Sequence, residues 1–394
     1  MKKPVLPPLG LYIHIPWCLK KCPYCDFNSH AIEGDLPEAE YCEQLTKDMT
    51  LDLPLVQGRQ LDSIFIGGGT PSLFSPDNIG ELLEKVSAGI PFAPDIEITL
   101  EANPGTFEIE KFSRFREAGI NRLSIGIQSF NQQKLSALGR VHSDQEALNA
   151  AANASNAGFD NYNLDLMFGL PGQTMQQALD DLEAAQSFHP THLSWYQLTL
   201  EPNTLFYSKP PALPDDDFIA ELQEKGIALL EKNGFNRYEV SAFSIPGKNS
   251  VHNMNYWQFG DYLGIGAGAH GKITLSEERK IIRTRKTRQP SSYLKQQDSF
   301  TAEFKEINES DLPLEFLMNA LRLCAGCDTN LFEERTGLSV NRIQAQINSL
   351  RNKGLLQEER LAATDRGFLF LNSLLQEFLP SVHQDKDRIP VHSR

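Results

Sequence analysis

Three thiols crowd the start of the chain: in CLKKCPYC, Cys18, Cys22 and Cys25 are spaced as C-x-x-x-C-x-x-C. Thiols this close in sequence make a redox pair, a zinc site or an iron–sulfur site. A disulfide framework is the weakest reading, because the chain holds six cysteines in 394 residues and its opening MKKPVLPPLG lacks the apolar core that export requires. The compartment expected from this is a reducing cytosol. Structural zinc closes its shell with four ligands, and the nearby candidates for the fourth, His14 and His30, are not at customary zinc spacing. Zinc therefore stands second. A [4Fe–4S] cluster on three thiolates keeps one iron without a protein ligand, and such an iron can bind and activate a small molecule. On that reading the absent fourth cysteine is the working feature.

The elements that must position these thiols alternate. Strand patterns run at LYIHI (11–15), SIFIGG (63–68), IEITLEA (96–102), RLSIGIQ (122–128), NYNLDLMFGL (161–170) and HLSWYQLTL (192–200). Segments of helical period lie between them, among them PDNIGELLEKVSAGI, IEKFSRFREAGI, SDQEALNAAANASNAGF and QTMQQALDDLEAAQSF. Six repeats of strand then helix predict a parallel α/β sheet with right-handed crossovers, either open and doubly wound or an incomplete barrel. Periodicity does not choose between them. In both, loops at the C-terminal ends of the strands converge on one mouth. The cysteine loop follows the first strand and GGGTPS (67–72) the second. Three glycines let a backbone approach a ligand, although a tight strand-to-helix turn uses them too. Glu101, Gln128 and Asp165 are polar side chains inside apolar strands, where burial without a partner costs about 1–3 kcal/mol each.

With LYIHIPWCLKKCPYCDFNSH around the triplet and these motifs following in order, the chain resembles the radical S-adenosylmethionine (SAM) proteins of the oxygen-independent coproporphyrinogen III oxidase-like branch. The resemblance implies a partial (β/α)6 TIM-like barrel whose open side admits a large substrate. It implies a [4Fe–4S] cluster on Cys18, Cys22 and Cys25, with SAM on the open iron. It assigns SAM contacts to Tyr12, Tyr24, Gly68, Gly69, Thr70, Glu101, Gln128, Arg140 and Asp165. Carboxylates suit ribose hydroxyls or the amino group, and Arg140 suits the methionine carboxylate; the plain alternative is a structural ion pair between Arg140 and Asp165. The implied chemistry is one-electron cleavage of SAM to methionine and a 5′-deoxyadenosyl radical.

Two features separate members of the branch. The oxidases carry a fourth cysteine two residues past the triplet; here that position is Phe27, as in the branch's heme chaperones. HNMNYW (252–257) matches the H-N-x-x-Y-W motif that the resemblance associates with heme, through His252, Asn253, Tyr256 and Trp257. His252 offers an imidazole to iron and the two aromatics offer flat faces to a porphyrin, whereas a lone histidine beside aromatics is more often packed. The expectation is a heme chaperone that delivers heme to apo-proteins, respiratory-chain targets among them. The alternative is an oxygen-independent coproporphyrinogen III oxidase that decarboxylates propionate side chains; a zinc-stabilised regulator is remote. Oxidase activity is expected to be absent, and whether the protein is an enzyme stays open.

The organisation expected is a barrel over 1–235, a β-rich extension over 236–305 carrying the heme motif, a mainly helical, winged-helix-like lid over 306–380 and a flexible tail over 381–394. FGDYLGIGAGAHGKI reads as a strand with tight turns at the barrel rim, and its Gly264, Gly266, Gly268 and His270 are left outside the site. RKIIRTRKTRQP (279–290) is a basic island, read as a solvated strand pair ahead of a contact with heme propionates or a partner. Cys324 reads as core and Cys327 as incidental, both in a helix. A net charge of −14 and a pI of 5.2 argue against nucleic acid and against an electrostatic grip on anionic membranes. No apolar run approaches the roughly 20 residues that span a bilayer. Expected partners are heme, apo-heme-protein recipients that include membrane-associated ones, and a flavodoxin- or ferredoxin-type reductant; a homodimer is compatible. The expected location is cytoplasmic, with peripheral contact at the inner face of the membrane.

Overall fold

Six parallel strands stand in sequence order in the computed structural model, which describes residues 2–379. They are β1 (Leu9–Ile15), β2 (Leu61–Gly68), β3 (Phe92–Ala102), β4 (Arg122–Gln128), β5 (Tyr162–Phe168) and β6 (His192–Gln197). Helices at Glu38–Val56, Pro76–Gly89, Phe112–Glu117, Asp144–Asn156 and Met175–Ser187 make the crossovers. Two of them start with reciprocal capping boxes, Ser143 with Glu146 and Thr174 with Gln177. Their placement follows the local sequence, and the strand limits fall within a few residues of those expected. The result is a partial TIM-like barrel.

Alternation along each strand divides the barrel into two surfaces. Leu11, Ile13, Ile64, Ile66, Leu100, Leu123, Ile125, Leu164 and Leu193 are fully buried in one core with Leu45, Leu82, Phe115, Ala151 and Leu182 of the surrounding helices. Each buried Leu, Ile or Phe among them stabilises the fold by about 1.5–3 kcal/mol. The opposite face points into the lumen, where Tyr12 lies level with Phe65, Glu101 with Ser124, and Asp165 with Ser194. The isolated polar residues of the sequence are members of a continuous polar inner wall.

The sheet continues past the sixth strand through β7 (Asn236–Arg237), β8 (Ala242–Ser244), β9 (Asp261–Ile265), β10 (His270–Leu275), β11 (Lys280–Lys286) and β12 (Thr301–Glu306). Its order is β12-β11-β10-β9-β1-β2-β3-β4-β5-β6-β8-β7. The β9 strand lies parallel to β1, pairing Tyr12 with Gly264, so residues beyond 260 form one wall of the barrel. HNMNYW sits on the helix Val251–Trp257, whose first turn is capped by Ser250 accepting from the Asn253 amide.

A second core gathers Phe316, Leu317, Phe332, Ile347, Leu350 and Leu374 from the C-terminal helices, with Ile281 inserted from β11 and Phe259 from the turn that precedes β9. Single bridges of Leu356 with Ala363 and of Cys327 with Leu361 form a rudimentary wing. The tail at 381–394 lies outside the described residues.

Two expectations are corrected. The helix Leu312–Ala320 stops before the cysteine pair, and Gly326 turns the chain with φ +54°, so Cys327 is buried and bridged while Cys324 is half-buried. The basic island is not simply solvated. Lys286 is 1% exposed and pairs with Asp48 at 2.6 Å and Asp52 at 2.7 Å, and Arg283 bonds Tyr262 and Glu315. The outward residues Lys280 and Arg285 form exposed pairs, with Glu306 and Glu303. The strand lies inside the sheet, so alternate residues turn inward whatever their charge.

Candidate functional site

A cavity of about 440 Å³ opens at the end of the barrel where β1 to β3 terminate. Tyr12, His14, Gly68 and Glu101 line it from those strands, and Asp26, Phe27 and Asn28 from the cysteine loop. Tyr256, Tyr262, Gly268, His270, Arg285 and Arg288 complete the far wall. Of these, Tyr256 belongs to the motif assigned to heme, and the others belong to stretches that the sequence reading left outside the site. The β9 strand and its hairpin neighbours bring them in, through a pairing that local periodicity cannot reveal.

The cysteine loop is fastened at both ends. Trp17–Cys18 pairs in parallel with His30–Ala31, and the Gly69 and Thr70 amides donate to Ile15 O at 2.8 Å and Trp17 O at 2.7 Å. GGGTPS is thereby docked on the loop. A Cβ at Gly69 would stand 2.4 Å from Trp17 O, and one at Gly68, with φ +118°, would stand 2.6 Å from the His14 ring. Packing against the loop accounts for both glycines, and Gly68 also faces the cavity.

Cys18, Cys22 and Cys25 are half-buried and free. Burial pushes the Cys18 and Cys25 thiols up, and the neighbouring thiols add to this, while hydroxyls of Thr70 and Ser29 beside Cys18 counter it. The Cys25 thiol lies 3.7 Å from Ser29 Oγ, and the Arg140 guanidinium 3.7 Å from Cys22 Sγ. Among the described residues no three His, Cys, Asp or Glu side chains are disposed to share one metal ion. Nor do the nearby histidines turn toward the thiols. His14 contacts Tyr12 OH and Asn28 O, both at 2.9 Å, and His30 contacts Asn28 Oδ1 at 3.2 Å. Burial pushes His14 down to about 4, so it is neutral. A mononuclear zinc shell does not fit these groups.

The remaining residues assigned to SAM form the floor beside the loop. Glu101 accepts from the Gly68 amide at 3.0 Å and faces the cavity. Burial, with Asp165 adding repulsion, pushes it up to about 8. Asp165 accepts from Ser124 at 3.1 Å and Asn163 at 2.8 Å. Arg140 donates to Asn103 Oδ1 at 2.7 Å and Gly126 O at 2.9 Å, so it is not the ion-pair partner of Asp165. Its buried Nε has no partner in the described structure. Tyr24 stands beside Arg140 and Cys22, packed on Phe206. Thr70 accepts from Asn103 Nδ2 at 2.8 Å. Gln128 ends its strand at φ +67°, a costly backbone for a side-chain-bearing residue and one that recurs at ligand sites. A carboxyl of raised pKa beside the cavity, an orphaned guanidinium nitrogen and three free thiols suit a polar cationic cofactor bound next to an iron–sulfur cluster.

The four residues of HNMNYW do not act as one surface. His252 is 3% exposed, stacks on Phe65 at 4.8 Å, meets Tyr256 edge-on at 4.5 Å and contacts Ser63 Oγ at 3.4 Å. Burial pushes it down to about 3, with Arg122 adding to the effect. Its amide and the Ser250 hydroxyl both donate to Glu97, which also pairs with Arg122 at 3.8 Å. This histidine is packed within the barrel, held by Phe65, Tyr256 and Ser63. Tyr256 lines the main cavity and also a smaller one of about 210 Å³, which Trp257 lines with Phe259, Lys272 and Arg283. Trp257 carries the Arg322 guanidinium over its ring at 4.5 Å, and its buried Nε1 has no partner among the described residues. Asn253 is half-buried and serves the helix cap.

Comparison with known proteins follows the same outline. The radical SAM superfamily model matches residues 12–185, and the HemN C-terminal domain model matches 307–370. The chain is 50% identical over 376 residues to the heme chaperone HemW of Escherichia coli (strain K12), covering 95% of this chain and 99% of that one. It is 33% identical to HemW of Bacillus subtilis (strain 168), over 93% and 98%. It is 36% identical to the mitochondrial radical S-adenosyl methionine domain-containing protein 1 of Mus musculus, over 95% and 88%. Among solved structures, coproporphyrinogen III oxidase (HemN) from Escherichia coli, described as a radical SAM enzyme, superposes with a TM-score of 0.80 at 22% identity, over 96% of this chain and 91% of that one. This last likeness shows the fold.

Proposed function

The chain belongs to the HemW heme-chaperone family within the radical SAM superfamily, and from that premise we propose that it binds heme and passes it to apo-proteins. Membership brings a [4Fe–4S] cluster and SAM. The observation that carries the reading is Phe27: an exposed phenyl lining the cavity stands where the oxidases have a fourth thiol. It can offer a tetrapyrrole an apolar face and cannot offer sulfur to a metal or a radical.

Cys18, Cys22 and Cys25 would hold the cluster on the loop fastened by Gly69 and Thr70. The cluster, when bound, supplies the electron that cleaves SAM reductively. Gly68 and Glu101 would position SAM at the cavity floor, with Tyr12, Tyr24, Gln128 and Asp165 around it and Arg140 near its carboxylate. Glu101 holds or releases a proton near neutral pH, so it can answer an approaching ammonium or hydroxyl group. Tyr256 and Trp257 offer aromatic faces to the porphyrin, and His252 can reach iron only when the helix Val251–Trp257 leaves its seat on Phe65 and Glu97.

Among the described residues no helix is long and apolar enough to cross a membrane. The reading extends to a cytoplasmic chaperone, served by a flavodoxin- or ferredoxin-type reductant, that meets membrane-associated recipients peripherally. The test is to reconstitute the cluster anaerobically, titrate hemin, then add dithionite, SAM and coproporphyrinogen III. Hemin binding without decarboxylation is expected. Turnover of the porphyrinogen would make the protein an oxidase despite Phe27.

A further inference from the structure

The main cavity is electrically divided in a way that neither the cluster nor the proposed SAM contacts use. Its floor carries Glu101 and its cysteine-loop side Asp26, whereas its far rim carries Arg285, Arg288 and His270. The two guanidinium groups are exposed, as is the Phe27 ring at 58%. In a chain of net charge −14 this is a local reversal of sign. Arg288 is aimed by the cysteine loop itself: its Nε donates to Asn28 Oδ1 at 3.1 Å, and Asn28 Nδ2 donates back to Arg288 O at 2.9 Å. Among the described residues its two terminal nitrogens have no protein acceptor within hydrogen-bond distance. Arg285 lies opposite His270 in the β10–β11 register, and among the described residues its one ion pair is with exposed Glu303 at 3.0 Å. Such an exposed pair is weak in water and yields to a better-placed carboxylate.

A flat apolar ring set beside two forked cations fits a ligand that is aromatic across its face and anionic at its edge. We propose that Arg285 and Arg288, with His270 beside them, bind a propionate carboxylate of the tetrapyrrole while Phe27 packs on its macrocycle. The assignment rests on the heme reading and deepens it, because it fixes which edge of the molecule enters the cavity. SAM also carries a carboxylate. Arg140, beside Cys22 and away from this rim, is the cation closer to where that group is proposed to bind.

The experiment compares hemin with hemin dimethyl ester, which keeps iron and ring but lacks both carboxylates, on the reconstituted full-length chain. Soret titrations give the two affinities, and equilibrium dialysis gives that of SAM. The native chain is expected to prefer hemin by about tenfold or more, the worth of one charge-assisted contact. Arg285→Gln with Arg288→Gln should abolish the preference and leave SAM binding unchanged. Arg285→Gln alone leaves the Asn28 contacts intact, guards against misfolding and should remove part of the preference. Glu303→Gln, which frees Arg285, should increase it. Equal affinity of the native chain for both ligands would overturn the proposal. So would a double variant that keeps its preference, or one that keeps it and loses SAM, which would give the arginines to the methionine carboxylate. No binding of either ligand by the native chain would instead strike the heme reading itself, and this proposal with it.

Discussion

Glu101 is the residue on which the electrostatics of the floor turns. Burial and the neighbouring Asp165 push it up to about 8, so at pH 7 it is mostly protonated and above 8 mostly ionised. A ligand that presents an ammonium group or hydroxyls to it binds the carboxylate form more tightly. SAM affinity should therefore rise between pH 7 and 9, and Glu101→Gln should flatten that profile while leaving the low-pH affinity largely intact. Equilibrium dialysis at three pH values decides it; a native profile already flat would remove Glu101 from contact with SAM. Glu101 was legible in the sequence because a carboxylate at the end of an apolar strand is conspicuous. Arg285 and Arg288 were legible only as the second reading of a basic island, because basic residues on or just after a strand are usually solvated.

At the scale of elements, the turn after β2 and the cysteine loop form one unit. Gly69→Ala would drive a methyl into Trp17 O, which is backbone and cannot swing aside. The expected cost is about 1–3 kcal/mol. Iron and sulfide per chain after reconstitution should fall with it, because the same contact fixes the Cys18 end of the loop. An unchanged iron content would show that the loop is organised by the cluster alone. The β11 strand supplies another element-level test. Lys286 neutralises Asp48 and Asp52 of the first crossover helix. Burial pushes Asp48 from its ordinary 3.8 up to about 6 even with the lysine in place. A carboxyl raised in the folded state lends stability that is fully present below its unfolded value and is lost as pH climbs through its folded one. Lys286→Met should cost about 3–5 kcal/mol at pH 7, where two acids are left uncompensated. The deficit should shrink between pH 7 and 5 as Asp48 takes up a proton. Denaturant melts of both chains at the two pH values measure this, and a deficit independent of pH would deny the carboxylates that role.

Across the whole molecule, the barrel and the C-terminal helices share side chains instead of merely touching. Phe259, at φ +56° and 1% exposed, meets Phe316 edge-on at 5.6 Å and carries Lys272 Nζ over its ring at 4.3 Å. It also lines the smaller cavity beside Trp257. Phe259→Ala should cost about 3–5 kcal/mol. It should also uncouple the C-terminal region, seen as faster amide exchange in Leu312–Ala320 and Thr329–Thr336 than in the barrel strands. Uniform acceleration everywhere would mean that the two cores open as a single unit.

Short-range order was written in the chain. The triplet of thiols, the glycine turn after the second strand, the acidic and amide side chains at later strand ends and the capped crossover helices all depend on spacings of a few residues, so type and period suffice to read them. What needed three dimensions was every feature built from distant segments. The pairing of β9 with β1 turned a presumed appendage into a barrel wall and brought His270, Arg285 and Arg288 to the cavity. The seat of His252 on Phe65 and Ser63 withdrew an apparent ligand from solvent. Gly326 exchanged the roles expected of Cys324 and Cys327. Local propensity fixes which face of an element is apolar; only the register between elements far apart in sequence decides which polar groups on the other face meet, and which of them still look for a partner.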